Sequence, residues 1–146
     1  VTTNRVSSFY RTAEQYGIEV PDEYIREAPY RDAERTYRIT KELLELPKPP
    51  TCIIYPDDFS ALGGVNAIRE MKLQIPEDVS VVGYDGIQIV KHMDPRLTTL
   101  QQDTEQMGAA AARQLISLIE RPKSTIIEQI IIPGKLIEGM SVATVS

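Results

Sequence analysis

Residues Pro76 to Asp103 read PEDVSVVGYDGIQIVKHMDPRLTTLQQD, and this stretch contains the clearest strand signal in the chain. Its segment 79–84 is short, apolar and rich in β-branched residues, which predicts a buried strand. Asp85 follows directly, and Gly83 and Gly86 let the backbone turn sharply on either side of it. Because ligands of open α/β sheets bind beyond the carboxyl ends of the strands, Asp85 stands where a ligand would be held.

Helix and strand patterns alternate on both sides of this stretch. Apolar residues at helical spacing predict helices over residues 1–16, 33–46, 59–71 and 104–121. Short apolar runs predict strands over residues 23–27, 51–55, 79–84, 97–103, 126–132 and 135–138. Such alternation predicts an α/β fold in which helices flank a parallel sheet.

Composition narrows the class of protein. The chain has 146 residues, of which 42% are hydrophobic and 25% charged, as in an ordinary globular domain with its own core. A net charge of −5 and the lack of basic clusters argue against a surface that grips DNA by itself. Cys52 is the lone cysteine and His92 the lone histidine, and no nucleophile–base pair, metal-ligand spacing or membrane-length apolar run is visible. We therefore expect no catalytic residue, metal, cofactor or membrane contact.

The order of motifs resembles the effector-binding core of the LacI/GalR family of bacterial transcriptional repressors. PEDVSVVGYD is followed, eight residues later, by DPRLTTLQQD, which matches the family pattern D-P-x-L-T-T-L-x-Q-D. The family's R-x-x-G-[FW] motif reads RVSSF from Arg5 onward, with Ser8 in place of glycine, and its D-x-x-A-x-G motif reads DFSALG from Asp58. The closing R-[RE]-S-[TV] element reads GMSV at residues 139–142, without the arginine.

The resemblance implies a type I periplasmic-binding-protein-like fold, in which two α/β lobes clamp a ligand in the cleft between them. On that resemblance, residues 1–103 form the C-terminal effector-binding subdomain. The helix over residues 104–121 is expected to pack on an N-terminal lobe that is mostly absent here, and residues 122–146 supply return strands and a tail. The chain begins at Val1 rather than at a methionine. We expect the DNA-binding head to be missing as well.

Five residues are candidates for the ligand site: Arg5, Tyr30, Asp57, Asp85 and Gln102. Carboxylates accept paired hydrogen bonds from neighbouring hydroxyls, arginine donates a rigid fork, and an aromatic ring stacks on a sugar or a base. Alternatives stay open from the residues alone: Arg5 could be a solvated surface residue, and Tyr30 a rim aromatic packed on the next helix. Of the two acids after strand 51–55, Asp58 is the one expected to cap the following helix, and Asp57 the one expected to face the cleft.

The family also forms dimers, and the resemblance implies Leu62, Asn66 and Met93 as interface residues. Simple core packing is the alternative for each of them. Taken together, the motifs predict the effector-sensing part of a cytoplasmic repressor that binds a small polar ligand, preferably a neutral sugar. It would be a homodimer and would reach operator DNA only through the missing head. A periplasmic sugar-binding protein of a transport system, which shares the fold, is the alternative, and an enzyme is a third and weaker one.

Overall fold

The computed structural model describes residues 2–124, 126 and 129–144. Four α-helices lie in these residues: α1 (Thr2–Gln15), α2 (Ala33–Leu44), α3 (Asp58–Glu70) and α4 (Thr104–Glu120). The described strands are β1 (Cys52–Ile54), β2 (Ser80–Asp85), β3 (Thr98–Gln101) and β4 (Lys135–Ile137). Short 3-10 helices span Asp22–Tyr24 and Gln88–His92. The predicted helices are therefore confirmed to within about two residues at each end.

One sheet carries the strands in the order β1-β2-β3-β4. The first three strands are parallel, as predicted, with Ile53 opposite Val81 and Gly83 opposite Thr99. Strand β4 is antiparallel to β3, so the expectation of a wholly parallel sheet is wrong at this edge. The reason lies in the path of the chain, because Lys135 pairs with Gln101 and the chain thus re-enters the sheet at the end where β3 leaves it.

The core lies between the sheet and the helix pair α2–α3. Its buried apolar residues are Ile39, Leu43, Leu44, Ile53, Tyr55, Ala61, Val65, Ile68, Val79, Val81, Val90 and Leu97. Gly63 allows the two helices to touch, because a Cβ at that position would lie 1.9 Å from the carbonyl oxygen of Ala33. The Gly63–Gly64 pair inside α3 is thus explained by close packing, which compensates for the poor helix propensity of glycine.

Two predicted strands differ in the structure. Residues 23–27 are not a strand: a 3-10 turn occupies Asp22–Tyr24, and Ile25 is extended without pairing to any described strand. Propensity alone suggested a strand, but a strand needs a neighbour to accept its hydrogen bonds. For the prediction over 126–132, residues 127 and 128 lie outside the described residues, and residues 126 and 129–132 are not in a strand.

Helix α4 is largely exposed, although the sequence predicts an apolar stripe along it. Ala110 is its one buried residue. Leu115, Ile116 and Ile119 are 58%, 53% and 70% exposed. The packing of this helix on another lobe stays a prediction, but the described residues leave its apolar side uncovered.

Candidate functional site

The carboxyl ends of β1, β2 and β3 meet at one edge of the sheet, because the three strands are parallel. Asp57 follows β1, Asp85 ends β2 and Gln102 follows β3, so three of the five predicted residues lie at this edge. Helix α1 brings a fourth, since Nη1 of Arg5 donates a hydrogen bond to the carbonyl oxygen of Pro56 at 3.1 Å. We call this group of residues the polar rim.

Arg5 is a half-buried residue of the rim, which argues against the solvated alternative. Its guanidinium carbon lies 3.7 Å from the centre of the Tyr84 ring and 6.0 Å from that of Tyr30. A guanidinium over an aromatic face gains cation–π attraction and is held in a defined plane. One hydrogen bond to Pro56 uses a single donor of the guanidinium fork, so Arg5 keeps donors for a ligand.

Asp85 and Gln102 are in direct contact. Nε2 of Gln102 donates a hydrogen bond to Oδ1 of Asp85 at 2.5 Å, and the Gln102 backbone N–H donates to the Asp85 carbonyl oxygen at 3.2 Å. Asp85 has a φ of +109°, a conformation that a residue with a side chain rarely adopts. Such backbone strain clusters at functional sites, where the surroundings hold it in place.

Asp57 caps helix α3, a role that was expected for Asp58. It is the N-cap of α3: Oδ1 accepts a hydrogen bond from the Ser60 N–H at 2.7 Å, and Oδ2 accepts one from the Ser60 hydroxyl at 2.9 Å. Oδ2 also accepts the N–H of Arg31 at 3.0 Å, and the residue is only 1% exposed. The helix begins one residue earlier than predicted, at Asp58, and this offset exchanges the two acids. A direct contact between Asp57 and a ligand stays a prediction.

Asp58 lies beneath the rim and is fully buried. Its Oδ1 accepts a hydrogen bond from the Thr99 hydroxyl at 2.6 Å, and its Oδ2 accepts the Ile87 N–H at 2.8 Å. Burial raises the pKa of this carboxyl, while the hydrogen bonds from Thr99 and from the Ile87 and Gly86 amides act in the opposite direction. The sequence suggested this acid as the cap of α3 and as the first residue of the D-x-x-A-x-G motif, and it did not predict the buried contacts.

The loop before α2 completes the rim. Tyr30 is 48% exposed, and its ring lies within cation–π distance of Arg5. Arg31 has a left-handed φ of +59°, and its guanidinium carbon lies 5.7 Å from the centre of the Phe59 ring. The sequence reasoning missed Arg31 and Tyr84. The position of Tyr84 next to Asp85 was the available signal, but an aromatic inside an apolar run was interpreted as part of a buried strand.

The three candidate interface residues differ in their burial and do not form one exposed group. Leu62 and Asn66 are four residues apart on α3, which puts them on one side of the helix; Leu62 is half-buried and Asn66 exposed. Met93 is half-buried and packs against the core, in agreement with the core-packing alternative. Dimer formation through these residues stays a prediction.

Within residues 2–124, 126 and 129–144, no group of three or more His, Cys, Asp and Glu side chains could hold a metal ion. No described helix has both the length and the apolar character needed to cross a membrane. Concavities of about 280 and 410 Å³ lie along α4 and at the end of α1, away from the polar rim. Neither concavity is lined by Arg5, Asp57, Asp85 or Gln102.

Residues 1–142 match the family described as the periplasmic binding protein-like domain. This chain belongs to that family. The predicted helix-flanked sheet of a periplasmic-binding-protein-like domain is thereby confirmed, with the correction at β4 given above.

Curated relatives of this family member include transcriptional repressors. "Probable HTH-type transcriptional repressor ExuR" of Bacillus subtilis (strain 168) is 36% identical over 110 residues, which are 75% of this chain and 33% of that protein. The HTH-type transcriptional repressor PurR of Serratia proteamaculans (strain 568) is 34% identical over 141 residues, 95% of this chain and 40% of the relative. The chain therefore spans well under half the length of these two relatives.

Solved structures of LacI-family regulators also resemble this chain. A LacI transcriptional regulator from Bacillus cereus subsp. cytotoxis NVH 391-98 superposes with a TM-score of 0.91 at 30% identity, over 97% of this chain and 50% of that one. A LacI family transcriptional regulator from Enterococcus faecium, solved with bound ribose, gives a TM-score of 0.85 at 27% identity, over 97% of this chain and 52% of the other. The predicted resemblance to the LacI/GalR family is confirmed.

Proposed function

We propose that this chain is the effector-binding part of a LacI/GalR-type transcriptional repressor and that it holds a small polar ligand, a sugar, at the polar rim. The observation that carries the proposal is the convergence of Arg5, Tyr84, Asp85 and Gln102 at one edge of the sheet. Arg5 offers donors, Asp85 offers acceptors and the aromatic rings offer apolar faces, which is the mixture that a sugar requires. The ribose in the Enterococcus faecium regulator is a precedent for this ligand class.

The proposed mechanism is closure of two lobes on the effector. In the relatives, most of the length lies outside the part matched by this chain, which leaves room for a second lobe and for a DNA-binding head. Closure would change the geometry of a homodimer formed around Leu62, Asn66 and Met93, and thereby the spacing of two heads on operator DNA. The protein would act in the cytoplasm, where its operator is. Because the relatives are repressors, we favour this role over sugar transport and over catalysis.

The test is calorimetric titration of the full-length protein with ribose, lactose, cellobiose and adenosine. Asp85→Ala is expected to weaken binding roughly 10- to 100-fold, since a hydrogen bond to a charged group contributes about 1.5–3 kcal/mol. Glu77→Ala is the matched control, because Glu77 is an exposed acid that precedes β2 at the opposite end from Asp85. Equal affinity of wild type and Asp85→Ala would contradict the assignment of the site.

A further inference from the structure

Asp58 is a buried carboxylate whose presence is not explained by helix capping. Asp57 already caps α3, and Asp58 itself is 0% exposed. A buried carboxylate is costly unless several donors converge on it. Two such donors come from different parts of the chain, the Thr99 hydroxyl in β3 and the Ile87 N–H beyond β2. Asp58 therefore joins three elements at the base of the polar rim.

Gly83 makes room for this carboxylate. A Cβ at position 83 would lie 2.2 Å from Oδ1 of Asp58, closer than two such atoms can approach. The φ of Gly83 is not the reason for a glycine here, since no positive value is found at that residue. Glycine is required here because the Asp58 carboxylate, which accepts a hydrogen bond from the Thr99 hydroxyl, occupies the space that a Cβ would fill.

The turn that Asp58 holds is the one that carries Asp85. The φ angles of Asp85 and Gly86 are +109° and +72°, and the next residue, Ile87, donates its N–H to Asp58. A residue with a side chain stays at such a φ only where its surroundings determine the backbone. The Ile87 N–H, at 2.8 Å from Oδ2 of Asp58, thus ties the end of this turn to the buried carboxylate.

We propose that Asp58 is a positioning residue of the ligand site, which acts through the Asp85–Ile87 turn and sets the place of the Asp85 carboxylate at the rim. This inference rests on the proposed function, because it assigns Asp85 to ligand binding. It adds a residue that no ligand would touch. Thr99 contributes to the same positioning, since its hydroxyl donates a hydrogen bond to Oδ1 of Asp58.

The experiment compares two substitutions of equal chemistry in the full-length protein. Thr99→Val removes the hydroxyl that bonds to Asp58, and Thr40→Val removes an equally buried hydroxyl that bonds to Tyr55 in the core at 2.7 Å. Both variants are expected to lose stability, and Thr99→Val more so, because its hydroxyl bonds to a carboxylate and that of Thr40 to a neutral phenol. Thr99→Val is expected to weaken binding of ribose, or of whichever of lactose, cellobiose and adenosine binds tightest, about 5- to 10-fold, the range of a lost hydrogen bond. Thr40→Val should bind within twofold of wild type, and Thr99→Ser, which keeps the hydroxyl, should restore binding.

A second measurement needs no ligand. Amide hydrogen exchange at Gly86 and Ile87 is expected to quicken at least about tenfold in Thr99→Val and in Asp58→Asn, while it stays unchanged in Thr40→Val. If the wild type binds a sugar and Thr99→Val binds it equally well with unchanged exchange, the positioning role is wrong and the proposed function stands. If the wild type binds none of the four compounds, the proposed function fails. The anchoring of the turn is then tested by hydrogen exchange alone, and unchanged exchange at Gly86 and Ile87 in Thr99→Val would overturn it.

Discussion

Ser141 joins the tail of the chain to two strands through a single hydroxyl. Its Oγ donates a hydrogen bond to the Val81 carbonyl oxygen at 2.6 Å and accepts the Thr98 N–H at 2.8 Å. The backbone takes part as well, since the Val81 N–H donates to the Ser141 carbonyl oxygen at 2.7 Å. This residue falls in the closing motif where the family arginine is missing, and the hydroxyl provides an attachment that does not depend on that arginine.

Ser141→Ala is therefore expected to lower the free energy of unfolding by about 1–3 kcal/mol, because the buried Val81 carbonyl and the half-buried Thr98 amide both lose the Ser141 hydroxyl as a partner. Thermal and urea unfolding of the chain measure the change. Ser7→Ala is the control: Ser7 is exposed on α1, and such surface substitutions usually change stability by no more than about 0.5 kcal/mol. A loss for Ser141→Ala no larger than that of Ser7→Ala would mean that the tail is held by other contacts.

The site could be predicted from the sequence only where a residue's position in the chain determines its place at the sheet edge. Asp85 and Gln102 are examples, since each follows or ends a parallel strand and the two are in contact. The division of roles between Asp57 and Asp58 could not be predicted, because a shift of one residue in the start of a helix exchanges the cap and the buried position. Tyr84 was missed because the Arg5 guanidinium that covers it comes from a distant helix.

At the scale of elements, the contact between α2 and α3 provides a sharp test of packing. Gly63→Ala is expected to destabilise the chain by about 1–3 kcal/mol, the usual cost of overpacking, because its Cβ would meet the Ala33 carbonyl group, which cannot swing away as a flexible side chain could.

Gly108→Ala in α4 is the matched control, because nothing lies within 4 Å of a Cβ built there. Alanine should stabilise this exposed helix by about 0.5–1 kcal/mol through helix propensity. Urea unfolding measures the change in the free energy of unfolding for each variant, and the two changes are expected to be opposite in sign. If the two substitutions changed the free energy of unfolding alike, α2 and α3 would not be packed as closely as described.

The elements themselves were largely predictable, and their partners were not. The helices follow from local spacing, and acidic residues at their starts act as caps: Asp32 is the N-cap of α2, where its Oδ1 accepts the Arg35 N–H at 2.8 Å. The direction of β4 and the absence of a strand at residues 23–27 depend on which segment lies alongside, and this is a property of the tertiary path. A short apolar run predicts an extended segment, but whether that segment pairs in a sheet depends on which other segment lies beside it.

At the scale of the molecule, the polar rim would be one wall of the proposed ligand site, and helix α4 would contact the part of the protein that forms the other wall. The apolar side of α4 turns away from the buried Ala110, with Leu115, Ile116 and Ile119 more than half exposed. Exposed apolar patches of this kind usually mark a contact with another surface. In the proposed full-length repressor, the resemblance to the LacI/GalR family implies that α4 packs on the N-terminal lobe, so that one helix would link the two walls of the cleft.

The 146-residue chain on its own should then associate through α4. Sedimentation velocity is expected to detect dimers or larger species at micromolar concentration, because burying this apolar side gains roughly 25 cal/mol per Å². Leu115→Lys combined with Ile119→Lys should return the chain to a monomer, since two ammonium groups cannot be buried without partners. Gln15→Lys combined with Gln74→Lys adds the same charge at exposed polar positions and should leave association unchanged. A chain that is monomeric without any substitution, with α4 still helical and solvated, would contradict the view that this helix needs a partner surface.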